Sequence, residues 1–320
     1  MANTLPSHTP ASDTRVHRAP VSGAQTTIAH GAYRATIAAV GASLRTLTAD
    51  GRDLVVPFDA DAIRPVYRGA ILVPWPNRVT DGTYEFDGVE HRLPLTEPDR
   101  GHALHGLLVW NRWSIDETTD SSVRLVSEVV PSDGYPFALD VAVTYVLGDE
   151  GLTTTVEARN TGTTAAPYGT APHPYLVAGP GRVDDWTLTL PADEYLEVTE
   201  ERLIPVGTHP VSEHPGFDFH AAKPIDDLFI DHAFTTLRRQ GDTATVTLTA
   251  PGGTGVLMTW GRELPWVQVH TADRPEPEWN RAGLAVEPMT CPPDSFSSGI
   301  DLIRLEPGAT HVAAWTISAL

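Results

Sequence analysis

One cysteine, Cys291, stands in 320 residues, so the chain can close no intrachain disulfide and build no multi-cysteine zinc site. No apolar run approaches the ~18 residues that a membrane-crossing helix needs. Positive charge is scarce: 22 Lys and Arg face 41 Asp and Glu, a formal net charge of −19. Such a field repels polyanions, which argues against nucleic acid and anionic membranes as partners and leaves neutral small molecules unaffected. The sequence has neither a Gly-rich nucleotide loop nor ligands at metal spacing, so no cofactor and no metal are expected. The first stretch, Met1 to Gly23, is rich in Ser, Thr, Pro and Ala but has no apolar h-region. It reads as a flexible tail and not a secretion signal, and with the lone cysteine this suggests a cytoplasmic protein.

Long helical periodicity is also missing, and short alternating, β-branched runs take its place. Strands are predicted at Val123 to Val130, Leu139 to Leu147, Leu152 to Arg159, Thr243 to Thr249, Val256 to Trp260, Trp266 to Thr271 and His311 to Ile317. Thr83 to Phe86 and Val89 to Arg92 flank Asp87-Gly88, and a second Asp-Gly stands at Asp50-Gly51. This dipeptide supplies the positive φ angles of a type I′ hairpin turn. Helix is expected only as short turns, around Asp59 to Ile63 and Pro224 to Leu228. No linker, low-complexity block or fixed-period repeat divides the chain after the tail. The expectation is an all-β fold, one large antiparallel β-sandwich domain spanning residues 24–320.

Four segments set ionisable side chains among Gly, Pro and aromatic residues, where a rigid sheet exposes a binding loop. In Val73-Pro74-Trp75-Pro76-Asn77-Arg78 two prolines stiffen the chain beside an arginine fork. That fork could hold sugar hydroxyls or form a surface ion pair. In Gly101-His102-Ala103-Leu104-His105-Gly106 the histidine spacing suits no metal on a strand or loop, and either imidazole could be structural. In Ala171-Pro172-His173-Pro174-Tyr175 two prolines fix the direction of an imidazole that titrates near neutrality. In Leu284-Ala285-Val286-Glu287-Pro288 a carboxylate ends an apolar strand. It either sits at the core rim, where desolvation raises its pKa, or points into water. Asp231-His232-Ala233-Phe234 is a weaker segment of the same kind.

In this order the segments resemble the aldose 1-epimerase, or galactose mutarotase-like, family from about residue 30 onward. Asn77-Arg78 with Gly82 and Phe86-Asp87-Gly88, then Leu104-His105-Gly106, Pro172-His173-Pro174-Tyr175, Asp231-His232-Ala233-Phe234, and Glu287 with Pro293-Asp294 carry the likeness. The chain departs from the family pattern at Ala171-Pro172, Leu176 and Leu107-Leu108, changes that touch the substrate pocket. The resemblance implies an isomerase that interconverts the α and β anomers of a free aldose, acting as a monomer or homodimer. Glu287 would be the base and His173 the acid. Arg78, His105, Asn77 and Asp231 would bind the sugar, and Trp75 would cover an apolar sugar face. Two alternatives stand beside it: an epimerase of a phospho- or sulfosugar with Arg64, Arg68 and Arg78 as an anion clamp, and a non-catalytic carbohydrate-binding module.

Overall fold

The computed structural model describes residues 19–320. Most of the expected tail lies outside them. Ser22 is already tied to the body of the fold, because it donates its backbone N–H to Ala60 O at 3.0 Å and Val40 donates to Ser22 O at 2.9 Å.

The fold is all-β and antiparallel. One sheet has nine strands, in the spatial order Ser114–Thr118, Ser122–Val129, Leu139–Gly148, Gly151–Asn160, Thr310–Ala319, Gly255–Trp260, Ala244–Thr249, Thr187–Thr189 and Lys223–Pro224. A second has six, in the order Tyr175–Leu176, Leu284–Met289, Trp266–His270, Asp231–Leu237, Ala192–Val198 and Pro205–Pro210. A four-stranded sheet runs from Gln25–His30 to Arg52–Asp53. Burial follows the two-residue period of a strand. In Ala244–Thr249, Ala244, Val246 and Leu248 are buried while the three threonines are half-exposed. Inner residues of all three sheets, among them Ile37, Val143 and Val269, join one apolar cluster, so the sheets form a sandwich around a shared core.

Both Asp-Gly hairpins form as the turn chemistry requires. Asp87 and Gly88 have φ of 52° and 76°, and Asp50 and Gly51 of 50° and 78°. The expected helical turns do not form. Around Asp59 the chain makes a turn closed by the Ala62 N–H on Asp59 O at 3.1 Å, and near Pro224 one closed by the Leu228 N–H on Ile225 O at 3.2 Å. The nearest 3₁₀ turn is Pro65–Tyr67. Ser295–Ser298 is the single α-helix among the described residues. None of their helices is long and apolar enough to cross a membrane.

Candidate active site

The floor of the site is one face of the six-stranded sheet. Every residue of Leu284–Met289 is buried, which marks a strand covered on both sides. Leu284 and Val286 enter the main core, so period two sends Ala285, Glu287 and Met289 to the opposite face. Antiparallel register then aligns two rows on that face. Glu287 pairs with Gln268 and Gln268 with Ala233, while Tyr175 pairs with Ala285, Ala285 with His270 and His270 with Asp231.

Loops supply the walls. His173 lies between two prolines, and its backbone is pinned on both sides: its N–H donates to Ala70 O at 2.9 Å and its carbonyl accepts from Gly69 at 2.7 Å. The ring stacks on Tyr175, centroids 5.2 Å apart, and meets His105 edge-on at 5.1 Å. His105 adopts φ of 64°, outside the usual range for a residue with a side chain, and donates its N–H to Asn77 O at 2.8 Å. The next residue must be glycine. A Cβ on Gly106 would lie 2.1 Å from Val73 O, and φ there is +76°. Arg78 sits on Arg78–Thr80, whose carbonyl at Arg78 accepts from Asp294 while the Asp294 carboxylate accepts from Thr80 N at 2.8 Å. Asp294, singled out by the sequence pattern, therefore braces the strand that presents Arg78.

These elements enclose a cavity of about 310 Å³, near the lower end of the ~300–1,000 Å³ usual for small-molecule sites. Glu287, His173, Arg78, His105, Asp231 and Asn77 all line it. His173 Nε2 and Glu287 Oε1 face each other at 3.4 Å, with side chains only 6% and 3% exposed. Glu287 Oε2, His173 Nδ1, His105 Nδ1 and Gln268 Oε1 are buried without a hydrogen-bond partner. Unsatisfied polar atoms grouped in one cavity wall call for a polar ligand.

Burial, reinforced by the charge of His270, pushes His173 down to about 3. Burial and the negative charge of Asp231 hold Glu287 well above the usual carboxylate range, against the pull of Arg78. His105 is lowered by burial, His173 and Arg78. Asp231 behaves differently. Burial would raise it, but His270, Arg78 and the hydrogen bond from Gln268 Nε2, at 2.8 Å, together lower it. The site thus favours the charged form at Asp231 and, through burial, the uncharged forms of His173 and Glu287, the separation of pKa values that acid–base chemistry uses.

Two expectations are corrected. Trp75 is 2% exposed and packs in the main core against Phe296, centroids 5.5 Å apart, so the rigid Pro-Trp-Pro turn sends it inward, away from the cavity. The aromatic walls of the cavity are Tyr67, Tyr175 and Phe229. Arg64 and Arg68 do not line it either. Arg64 turns to the backbone and Ser43, donating to Val40 O, Ser43 Oγ and Val109 O, and Arg68 Nη1 donates to Pro57 O at 3.2 Å. His102 is structural: its Nδ1 accepts from Asp81 N, so Nε2 donates to Arg202 O at 2.7 Å. Sequence reasoning missed Gln268, His270, Arg274 and Glu97. Alternation within Trp266 to Thr271 could have put Gln268 and His270 on one face. A larger hollow of about 660 Å³ lies over the outer strands, but its Arg124 is tied to Glu157 at 2.7 Å and none of the unsatisfied polar atoms named above lies in it.

Comparison with known proteins bears on the family and the fold. The sequence model described as aldose 1-epimerase matches residues 24–318. YihR of Escherichia coli K12, an uncharacterized protein, is 41% identical over 291 residues, 91% of each chain. A galactose mutarotase of Rattus norvegicus is 34% identical over 172 residues, 50% of this chain and 46% of that protein. The crystal structure of a GalM/aldose epimerase homologue from C. elegans superposes with a TM-score of 0.80 at 22% identity, covering 93% of this chain and 99% of the other. At that identity the likeness is one of fold.

Proposed function

The chain belongs to the aldose 1-epimerase family, and from that membership we propose that it interconverts the α and β anomers of a free hexose such as glucose or galactose. One observation carries the reading: a buried imidazole and a buried carboxyl meet at 3.4 Å in the wall of a cavity whose size suits a small molecule.

Mutarotation must remove the proton of the C1 hydroxyl and supply one to the ring oxygen. The Glu287 carboxylate takes the first as the bond between C1 and the ring oxygen breaks, and the His173 imidazolium gives the second. The products are the open aldehyde and a C5 hydroxyl. Rotation about C1–C2 presents the other carbonyl face, and both transfers run backwards as the ring closes. The pair carries no net charge at either stage. It is carboxylate and imidazolium with the closed ring, carboxylic acid and imidazole with the open chain. Burial raises Glu287 and lowers His173, so it disfavours the charged pair and favours the two proton transfers that accompany ring opening. The 3.4 Å contact is longer than a good hydrogen bond, so a sugar can displace it at little expense. Arg78 and His105 then donate to ring and hydroxyl oxygens as charge develops there, and the ionised Asp231 accepts from sugar hydroxyls.

Polarimetry or NMR exchange on freshly dissolved α-anomers tests the reading. The wild type should speed relaxation, and Glu287→Gln and His173→Asn should each lose roughly 10²–10⁴-fold of that gain. Wild-type rates in both variants would overturn the assignment, and sugar affinity without any acceleration would indicate a binding module.

Arg274 supports a second reading, in which the aldose carries a phosphate or sulfonate. It lines the cavity, and no ion pair joins it to a carboxylate among the described residues, the neighbouring Asp273 being paired with Arg281 at 3.0 Å. A panel of neutral and anionic aldoses in the same assay separates the two.

A further inference from the structure

We infer that Glu97 is a positioning residue for the sugar site, holding Arg78 in one orientation so that its remaining N–H groups bind substrate. The inference rests on the epimerase reading above.

The turn that presents Glu97 is built for placement. Glu97 and His102 pair across Pro98-Asp99-Arg100-Gly101, with Glu97 N donating to His102 O at 3.0 Å and Gly101 N to Glu97 O at 2.9 Å. Proline sets φ on entry, and Gly101 leaves at φ of +73°. The segment before the turn is stapled as well, since Leu104 N donates to Thr96 Oγ1 at 2.8 Å. A residue distant in sequence also ties the turn: Arg202 donates Nε to Arg100 O at 2.9 Å, and its carbonyl accepts from His102.

From this frame the Glu97 carboxylate reaches Arg78 with both oxygens. Arg78 Nε donates to Oε2 at 2.7 Å and Nη2 to Oε1 at 2.9 Å. Both side chains are nearly buried, 12% and 13% exposed. Such a fork-to-fork pair fixes the guanidinium plane as well as its place. It occupies two of the five N–H groups. Nη1 makes only a 3.4 Å contact with Asn77 Oδ1, so donors remain for a ligand in the cavity that both residues line. Glu97 also offsets the positive charge of Arg78, which would otherwise stabilise the Glu287 carboxylate more strongly. In keeping with the pairing, burial would raise Glu97, but the Arg78 bonds and the charge of Arg100 hold it below the usual carboxylate value.

A double-mutant cycle tests this. On the sugar the wild type turns over fastest, Glu97→Gln should lower kcat/KM by about tenfold, chiefly through KM, because a misoriented guanidinium loses binding. In an Arg78→Ala background the same substitution should change nothing, since the group it positions is gone. A merely structural role would give the same loss in both backgrounds. Should Glu97→Gln not fold, Glu97→Asp, which keeps the charge but withdraws it by one methylene, carries the same expectation. An unchanged kcat/KM in the single variant, or equal losses in both backgrounds, overturns the inference and leaves the epimerase reading standing. A wild type that accelerates exchange of no aldose overturns that reading, and this inference with it.

Discussion

Glu287 is the residue with most to lose from burial. In the unfolded chain its carboxyl titrates near the ordinary value of 4.5, whereas in the fold burial and Asp231 raise it well above that. Between those two values the folded state binds more protons, so stability from this group is complete below the unfolded pKa and declines as pH rises toward the folded one. The slope is at most about 1.4 kcal/mol per pH unit. A glutamine at this position has no proton to lose. Glu287→Gln should therefore melt higher than wild type at pH 8, and by a larger margin than at pH 5, while having lost its activity. Thermal unfolding at the two pH values checks this, and a margin that shrinks with pH would contradict it. Stability given up at the proposed base would be the usual trade between function and fold.

At the level of strands and turns, the clearest lever is Gly106. Alanine there must move the Val73 carbonyl, 2.1 Å from the added carbon, and also accept a positive φ. Gly106→Ala should cost about 2–4 kcal/mol and raise KM by displacing His105, to be read from denaturant melts and from kinetics. Much at this level was legible in the sequence. Alternation located Leu139–Gly148, Gly151–Asn160 and Gly255–Trp260 within a residue or two, because a half-buried strand writes its period into composition. Both Asp-Gly turns were legible for the same local reason. The six expected side chains that line the cavity were legible as segments, but their meeting was not, since register between distant strands leaves no local trace. Trp75 shows the limit: in an irregular turn no period says which way a ring points. Glu97 was hidden differently, because Glu-Pro-Asp-Arg-Gly reads as an ordinary solvated turn and its carboxylate acquires meaning only beside Arg78.

For the molecule as a whole, the net charge of −19 gives a test of substrate class. A neutral hexose feels no long-range field, so kcat/KM should stay within about twofold between ~50 and ~500 mM NaCl. An anionic aldose must cross a repulsive surface potential and then meet Arg274, and its kcat/KM should shift with salt by more than that. Stopped-flow or NMR exchange rates across the salt series decide between them.

The nine-stranded sheet is joined in its middle by Thr310–Ala319, which pairs with Gly151–Asn160 on one side and Gly255–Trp260 on the other. Both neighbours leave the ribosome before it does. During synthesis, then, the sheet exists as two halves with bare inner edges, each a template for pairing with another nascent chain. Chaperone cover should matter most in that interval, before the bridging strand arrives.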